Sequence, residues 1–176
     1  MAQPKIEPIL GDITTLEVDA IVNAANTGLL GGGGVDGAVH RAAGPKLLEH
    51  CRGLGGCPTG DVRITPGFNL KAGFVIHAVG PVWHGGLKNE KELLASCYRR
   101  ALQLTLEHDI QSIAFPAISC GVYGFPIDLA IQIAVREVKE FTDHHKKPAI
   151  VLFVCFSRDI FTQYSTVLEQ ISRHKM

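Results

Sequence analysis

The sequence predicts an α/β fold in which a mixed sheet lies between two layers of helices, a three-layer α/β/α sandwich. Strand-like and helix-like segments alternate over the second half of the chain. Residues 149–155 form a continuous apolar run, which is typical of a central strand buried on both faces. The length of 176 residues suits one domain spanning residues 1–176, because no linker, internal repeat or low-complexity tract divides the chain.

Short strands and short helices are predicted for the first half. Residues 6–10 and 20–23 read as strands, and residues 62–65 and 74–79 are strand-like because they are rich in β-branched and aromatic residues. A helix is predicted from about residue 37 to residue 43. The Gly44-Pro45 pair interrupts it, so residues 46–52 are expected to form a further turn or two.

Helical periodicity dominates the second half of the chain. Residues 90–108 are predicted to form a helix, because apolar residues repeat at helical spacing on one face: Leu94, Cys97, Tyr98, Ala101 and Leu102. The same pattern predicts helices over residues 127–141 and 159–172. Residues 112–115 form a short apolar strand that Pro116 stops.

Composition narrows the classes of function. Seventeen basic and 17 acidic residues give a formal net charge of zero, which argues against general electrostatic binding to nucleic acid or an anionic membrane. No apolar run is long enough to span a bilayer, and the N-terminus has no signal-peptide core. The odd count of 5 cysteines indicates free thiols in a reducing, cytoplasmic environment. Their spacing matches no common zinc pattern, so we predict no metal.

The segment from Asn23 to His40 carries the strongest local signal. It places Asn23, Asn26, four consecutive glycines and Asp36 in a short loop that opens a helix. Glycines let backbone N–H groups approach a ligand closely, and a helix N-terminus favours anions, so the loop predicts a phosphate site. A carboxylate beside a phosphate is electrostatically unfavourable, which suggests a chemical task for Asp36. The alternative is that Asp36 only caps the helix.

A second loop, residues 116–126, also joins a buried strand to a helix. Gly121 and Gly124 allow a turn whose N–H groups face inward as a second anion site, and Tyr123 and Phe125 are candidates to pack on a sugar. The alternative is an ordinary turn with two packing aromatics. Ligands of open α/β sheets bind beyond the carboxyl ends of the strands. Asp12 and both loops follow predicted strands, so we expect them to converge on one crevice.

Several segments taken together resemble the macrodomain family, and within it the MacroD-type branch. They follow the family's order and cover nearly the whole chain. The matching segments are Gly11-Asp-Ile-Thr14, Val22-Asn-Ala-Ala-Asn26, Gly31-Gly-Gly-Gly-Val-Asp36-Gly-Ala-Val-His40-Arg-Ala-Ala-Gly-Pro45, Val75-Ile-His-Ala-Val-Gly-Pro81 and Phe115-Pro-Ala-Ile-Ser-Cys-Gly-Val-Tyr-Gly124. Where the family commonly has Ser-Thr-Gly, this chain has Ser119-Cys120-Gly121.

The resemblance implies an α/β/α macrodomain that binds ADP-ribose. Asp12 would accept from the adenine amine beside the Ile13 backbone, and Phe156 would pack on adenine. Asn26 would bond hydroxyls of the distal ribose, with Asn23 bracing the loop and Phe125 flanking that ribose. The diphosphate would lie between two sets of backbone groups, namely Gly33, Gly34 and Val35 on one side and Ser119, Gly121, Val122, Tyr123 and Gly124 on the other.

The resemblance further implies a hydrolase. It would remove mono-ADP-ribose from Glu and Asp side chains and deacetylate O-acetyl-ADP-ribose, using Asp36 with Asn26 to direct a water, and needing no cofactor. Attack at the anomeric carbon and attack at the ester carbonyl both remain open. The partners would be ADP-ribosylated proteins, and we expect a monomer. The alternative is a module that binds ADP-ribose without turning it over, which could dispense with Asp36.

Overall fold

A computed structural model describes residues 2–174, which contain one six-stranded sheet and five helices. The strands are β1 (Lys5–Leu10), β2 (Ala20–Ala25), β3 (Val62–Pro66), β4 (Phe74–Val79), β5 (Ser112–Phe115) and β6 (Ile150–Cys155). The helices are α1 (Gly34–Ala43), α2 (Pro45–Arg52), α3 (Glu90–Glu107), α4 (Ile127–His145) and α5 (Arg158–His174), and a 3₁₀ turn spans Ile13–Thr15. No helix among the described residues has the length and apolarity needed to cross a bilayer.

The sheet is mixed, as predicted. Its strand order is β1-β6-β5-β2-β4-β3, and every neighbouring pair is parallel except β3 with β4. The carboxyl ends of β1, β6, β5, β2 and β4 therefore meet at one edge. The segments that follow these strands include both glycine-containing loops, so the topology brings them to the same end of the molecule.

Each face of the sheet packs against its own helices, which confirms the three-layer sandwich. Side chains alternate along the strands, so Val22, Ile76 and Phe115 pack with α3, α4 and α5, whereas Ile21, Val75 and Val154 pack with α1 and α2. The five apolar positions predicted for one face of α3 are all buried. Each layer therefore buries an apolar helix face on an apolar sheet face.

Helix α1 begins earlier than predicted. The predicted start was near residue 37, but the first helical bond runs from the N–H of Gly37 to the carbonyl of Gly33, and the helix begins at Gly34. Gly34 has a φ of +57°, a left-handed conformation that glycine adopts without strain. Val35 and Asp36 therefore lie in the first turn of α1 rather than in the loop. The predicted interruption at Gly44-Pro45 is confirmed, since α1 ends at Ala43 and α2 begins at Pro45.

Candidate functional site

A cleft of about 490 Å³ opens at the carboxyl edge of the sheet. Residues 24–26 and 32–36 line one side of it, and residues 117–123 line another. Three further residues complete the lining: Gly80, Phe156 and Ile160. The two loops that the sequence predicted to converge therefore do so. The cleft is large enough for a small organic ligand and exposes both apolar surface and backbone polar groups.

Asn26 organises the first loop, the glycine-rich segment that joins β2 to α1. Its Oδ1 accepts from the N–H groups of Gly28 (3.1 Å) and Leu29 (3.2 Å), and its Nδ2 donates to the carbonyl of Gly31 (3.0 Å). Leu29 is buried and anchors the loop in the core. One hydrogen of Nδ2 is left over at the cleft, so Asn26 can also donate to a ligand hydroxyl.

The N-terminus of α1 presents unbonded N–H groups to the cleft. The N-cap is Gly33, which supplies no side-chain acceptor. The first N–H groups of any helix have no intrahelical partner, and those of Gly34, Val35 and Asp36 make no hydrogen bond within residues 2–174. Together with the helix dipole they form a site suited to an anionic oxygen.

Asp36 does not cap this helix, so the alternative interpretation of its role is wrong. Its side chain makes no hydrogen bond to the backbone of the first turn and is held by Asn23, whose Nδ2 donates to Asp36 Oδ1 at 2.8 Å. His40 Nε2 lies 3.5 Å from the same oxygen. The other oxygen, Oδ2, has no partner among the described residues, although Asp36 is 4% exposed.

Asp36 and Asn26 face the same point of the cleft. A β-carbon placed on Gly32 would lie 3.1 Å from Asp36 Oδ2 and 3.4 Å from Asn26 Nδ2. The unpartnered acceptor and the spare donor therefore flank the position where Gly32 lacks a side chain. A small molecule that both donates and accepts hydrogen bonds, such as water or a hydroxyl group, fits this arrangement.

Asn23 acts behind the cleft rather than in it. The residue is 0% exposed and does not line the cleft, so its side chain supports Asp36 and does not reach the cleft. Its Nδ2 also lies 3.1 Å from Nδ1 of His77. Burial lowers the pKa of His77 to about 4, with smaller contributions from His40 and His50, so the His77 ring is neutral at physiological pH.

The buried His77 predicts a pH-dependent stability. Its pKa falls from an unfolded value near 6.5 to about 4 in the folded protein. Between these values the unfolded chain binds more protons, so stability is fully present above about pH 6.5 and is lost as the pH falls toward 4. From pH 7 to pH 4.5 this group should lower the free energy of unfolding by about 2–3 kcal/mol. Urea unfolding of the wild type and of His77→Asn at both pH values checks this, and an identical pH dependence in the two proteins would contradict it.

The second loop turns sharply around Ser119. Ser119 has a φ of +66°, and its carbonyl accepts from the N–H of Phe125 at 3.0 Å. The N–H groups of Ser119, Gly121, Val122 and Tyr123 make no hydrogen bond within residues 2–174. The loop therefore faces the N-terminus of α1 across the cleft with donors to spare, as the sequence predicted for a second anion site.

Two residues of this loop that were predicted to contact the ligand do not line the cleft. The N–H of Gly124 is used by the carbonyl of Gly121 (3.0 Å), and Gly124 does not line the cleft. Phe125 is 2% exposed, with its ring packed 4.8 Å from that of Trp83. The predicted contact of Gly124 with phosphate does not fit this structure because its N–H is already bonded. The predicted contact of Phe125 with ribose does not fit because its aromatic ring is more stable in the core.

Cys120, the departure from the family pattern, lines the cleft. Its Sγ donates to the carbonyl of Ile118 at 3.5 Å, and burial raises the pKa of the thiol to about 11. The side chain is therefore protonated at neutral pH, which makes it a weak nucleophile.

Asp12 and Phe156 follow the neighbouring strands β1 and β6. The N–H of Gly11 donates to the carbonyl of Cys155 at 3.2 Å, which places the next residue of each segment side by side. Asp12 Oδ1 accepts from Thr14 Oγ1 (2.7 Å) and Thr14 N (2.9 Å), and these bonds hold the pKa of the carboxyl below its usual range. Asp12 and Ile13 do not line the cleft itself, whereas the exposed Phe156 does.

Sequence reasoning did not identify Gly80, Ile118 or Ile160 in the cleft. Gly80 had a usable signal, since it directly follows β4 at the carboxyl edge. A β-carbon on Gly80 would lie 2.2 Å from Ser119 Oγ, so the second loop approaches as closely as it does because this residue is glycine. Ile160 lies on α5, where helical periodicity does not separate a cleft residue from a core residue.

A comparison with known families decides the family. The profile described as Macro domain matches residues 22–134. The chain belongs to the macrodomain family. A protein of Klebsiella pneumoniae named O-acetyl-ADP-ribose deacetylase is 54% identical over 94% of this chain and 96% of its own length, in agreement with the MacroD-type resemblance. A 62% identical protein of Chlorobaculum tepidum, covering 88% of this chain and 91% of its own, is described as macro domain-containing.

Solved macrodomains have the same fold as this one. The Oceanobacillus iheyensis macrodomain with ADP has a TM-score of 0.92 and 44% identity, covering 96% of this chain and 92% of that chain. The Trypanosoma brucei macrodomain in complex with ADP-ribose has a TM-score of 0.88 and 44% identity, covering 93% of this chain and 68% of that chain. Both comparisons confirm the predicted macrodomain fold.

Proposed function

We propose that this macrodomain is an ADP-ribose-binding hydrolase that deacetylates O-acetyl-ADP-ribose and removes mono-ADP-ribose from Glu and Asp side chains. The name of the Klebsiella relative supports the first activity, and the ligands of the two solved macrodomains support an ADP-ribose cleft. Both proposed substrates are esters of the same sugar nucleotide, so one site and one attacking water serve both.

The observation that carries the proposal is the unpartnered Oδ2 of Asp36. A carboxylate oxygen that is buried without a hydrogen bond is destabilising by about 1–3 kcal/mol or more. Asn23 holds Oδ1 and leaves Oδ2 facing the cleft, where Asn26 supplies a donor. Simple ligand binding needs the N–H groups of the two loops and gains nothing from a carboxylate. The arrangement suits a base that orients a water molecule.

The proposed reaction begins with this water. Oδ2 of Asp36 accepts a hydrogen bond from the water and takes its proton as the water oxygen bonds to carbon. If attack is at the anomeric carbon, a route open only to an ester carried on that carbon, the bond from that carbon to the ester oxygen breaks and the acid leaves as a carboxylate. If attack is at the carbonyl, a tetrahedral intermediate collapses and the sugar oxygen leaves, taking back the proton that Asp36 received from the water. Either route yields ADP-ribose and a carboxylic acid.

The proposed binding mode follows the backbone donors. The diphosphate lies between the N-terminus of α1, with Gly33, Gly34 and Val35, and the second loop, with Ser119, Gly121, Val122 and Tyr123. The free N–H groups described above hold the anionic oxygens without any lysine or arginine. This directs the distal ribose toward Asn26 and Asp36 and the adenine toward Phe156 and Asp12.

The first experiment separates a hydrolase from a binding module. Purified protein is incubated with a mono-ADP-ribosyltransferase modified on its own glutamates, and separately with O-acetyl-ADP-ribose, and free ADP-ribose is measured by chromatography. Catalytic release in both reactions is the expected result. Tight binding of ADP-ribose by calorimetry, with both substrates left intact, would show that the module only recognises its ligand.

Replacing Asp12 with asparagine should weaken ADP-ribose binding. The amide of Asn can still accept from Thr14 and cap the 3₁₀ turn, but it no longer offers a charged acceptor to the adenine amine. Loss of a hydrogen bond to a charged group costs about 1.5–3 kcal/mol, roughly a 10- to 150-fold rise in Kd. Calorimetry with ADP-ribose measures this, and an unchanged Kd would remove Asp12 from the binding site.

A further inference from the structure

A row of buried polar side chains runs from the cleft to the antiparallel edge strand β3. It starts at Asp36, passes through Asn23 and His77, and ends at Thr65, whose Oγ1 lies 3.0 Å from His77 Nε2. None of the four is more than 4% exposed. Asn23 and His77 are directly paired in register on β2 and β4. Their face of the sheet is otherwise packed with apolar residues under α1 and α2.

One assignment of protons gives each contact of this row a donor and an acceptor, and it leaves Asn23 Oδ1 without a partner among the described residues. Asn23 Nδ2 carries two hydrogens, and its two neighbours, Asp36 Oδ1 and His77 Nδ1, both accept. The opposite orientation of the amide would set its oxygen against the carboxylate. Because Nδ1 of His77 accepts, the ring proton is on Nε2 and is donated to Thr65 Oγ1. The hydroxyl of Thr65 then donates to the carbonyl of Pro66 at 3.1 Å.

We propose that His77 is a positioning residue for the hydrolysis proposed above. It fixes the orientation of the Asn23 amide, and through that amide it holds Asp36 with Oδ2 directed into the cleft. Thr65 contributes by selecting the tautomer of His77. His77 does not line the cleft, and Asn23 is the residue through which its ring is linked by hydrogen bonds to Asp36.

The surroundings of His77 support this role over simple space-filling. Burial is the main factor that disfavours protonation of the ring, and His40 on α1 and His50 on α2 add smaller contributions of the same sign. Cys51 Sγ, on α2, lies 4.0 Å from Nε2. A protonated ring would present an N–H to the Asn23 amide and break the contact. The neutral ring is thus the only state compatible with the observed bond, and its environment maintains that state.

Three variants of His77 separate positioning from packing. Asparagine can place an acceptor near the position of Nδ1, glutamine can reach Thr65 from the position of Nε2, and leucine does neither. For His77→Leu and His77→Gln we expect kcat for O-acetyl-ADP-ribose to fall about 10- to 100-fold with KM little changed, because Asp36 loses its fixed orientation. His77→Asn should recover most of the lost kcat. Thr142→Val, which removes a buried hydroxyl on α4, controls for general loss of stability.

A second measurement tests the row independently of activity. Nitrogen NMR of the His77 ring in the wild type should show the proton on Nε2 and an unprotonated Nδ1. A proton on Nδ1 would overturn the proposal, as would folded His77→Leu and His77→Gln proteins with wild-type kcat, or a recovery by glutamine and not by asparagine. A wild-type protein without hydrolase activity would contradict the proposed function. The position of the ring proton on His77 and the orientation of the Asn23 amide would still show whether the row holds Asp36.

Discussion

Replacing Asp36 with asparagine should lower kcat for hydrolysis by about 10²- to 10⁴-fold, the range for loss of a positioned general base. The amide oxygen of the new side chain can still accept from Asn23, so the local structure should survive. The cleft-facing group, however, can no longer take a proton from water. ADP-ribose binding should be retained or slightly tightened, because a negative charge beside the diphosphate is removed. Steady-state kinetics with O-acetyl-ADP-ribose and calorimetry with ADP-ribose measure the two effects separately.

Glu92→Gln is the matched control for this variant. Glu92 is the third residue of α3, as Asp36 is of α1, so both changes remove one carboxylate from the first turn of a helix. Glu92 is exposed and pairs with Arg99 on the surface, an interaction of small energy. Its variant should keep wild-type kinetics. A turnover number for Asp36→Asn within a few-fold of that control would remove Asp36 from the mechanism.

Replacing Gly37 with alanine should lower hydrolysis about 100-fold and weaken ADP-ribose binding as well. A β-carbon on Gly37 would lie 2.5 Å from the carbonyl oxygen of Gly32, a backbone atom that has to move about 1 Å to relieve the contact. Gly32 is the residue around which Asp36 Oδ2 and Asn26 Nδ2 are arranged. Its displacement therefore disturbs the attacking water and the diphosphate site together, whereas Asp36→Asn affects only the chemistry.

Gly53→Ala provides the comparison. Gly53 has a φ of −71° at the end of α2, and a β-carbon there would meet only the carbonyl of His50 at an ordinary 3.4 Å. Circular dichroism and thermal unfolding establish that both variants are folded before their kinetics are compared. Equal kinetics for Gly37→Ala and Gly53→Ala would show that the first loop tolerates displacement and that its geometry does not control the reaction.

Local patterns in the sequence predict most of the fold and the location of the cleft. The helical repeat of apolar residues predicts α3, and the continuous apolar run predicts β6, because in both elements the pattern directly reflects which side chains are buried. Parallel strands then bring the segments that follow them to one edge, which is why the first and second loops could be expected to meet. The resemblance to macrodomains then predicted which ligand the cleft would bind, namely ADP-ribose.

The parts that could not be predicted depend on contacts between distant residues. Phe125 belongs to the second loop, yet its ring packs on Trp83 because burying an aromatic surface is more favourable than exposing it. The pairing of Asn23 with His77 depends on the register of β2 against β4, which no local pattern in either strand encodes. The start of α1 at Gly34 depends on a left-handed glycine within a run of four, where composition does not distinguish one glycine from the next.

In the proposed reaction, water held at Asp36 cleaves an ester of ADP-ribose. The most direct test is a single-turnover reaction of the wild type in water labelled with heavy oxygen, using a peptide with ADP-ribose on glutamate, followed by mass spectrometry of both products. We expect the peptide to be released and one product to carry a single labelled oxygen: ADP-ribose if the anomeric carbon is attacked, the glutamate carboxyl if the carbonyl is attacked. A protein that binds ADP-ribose but releases no peptide, or that releases it with no label in either product, would show that water held at Asp36 does not cleave the ester.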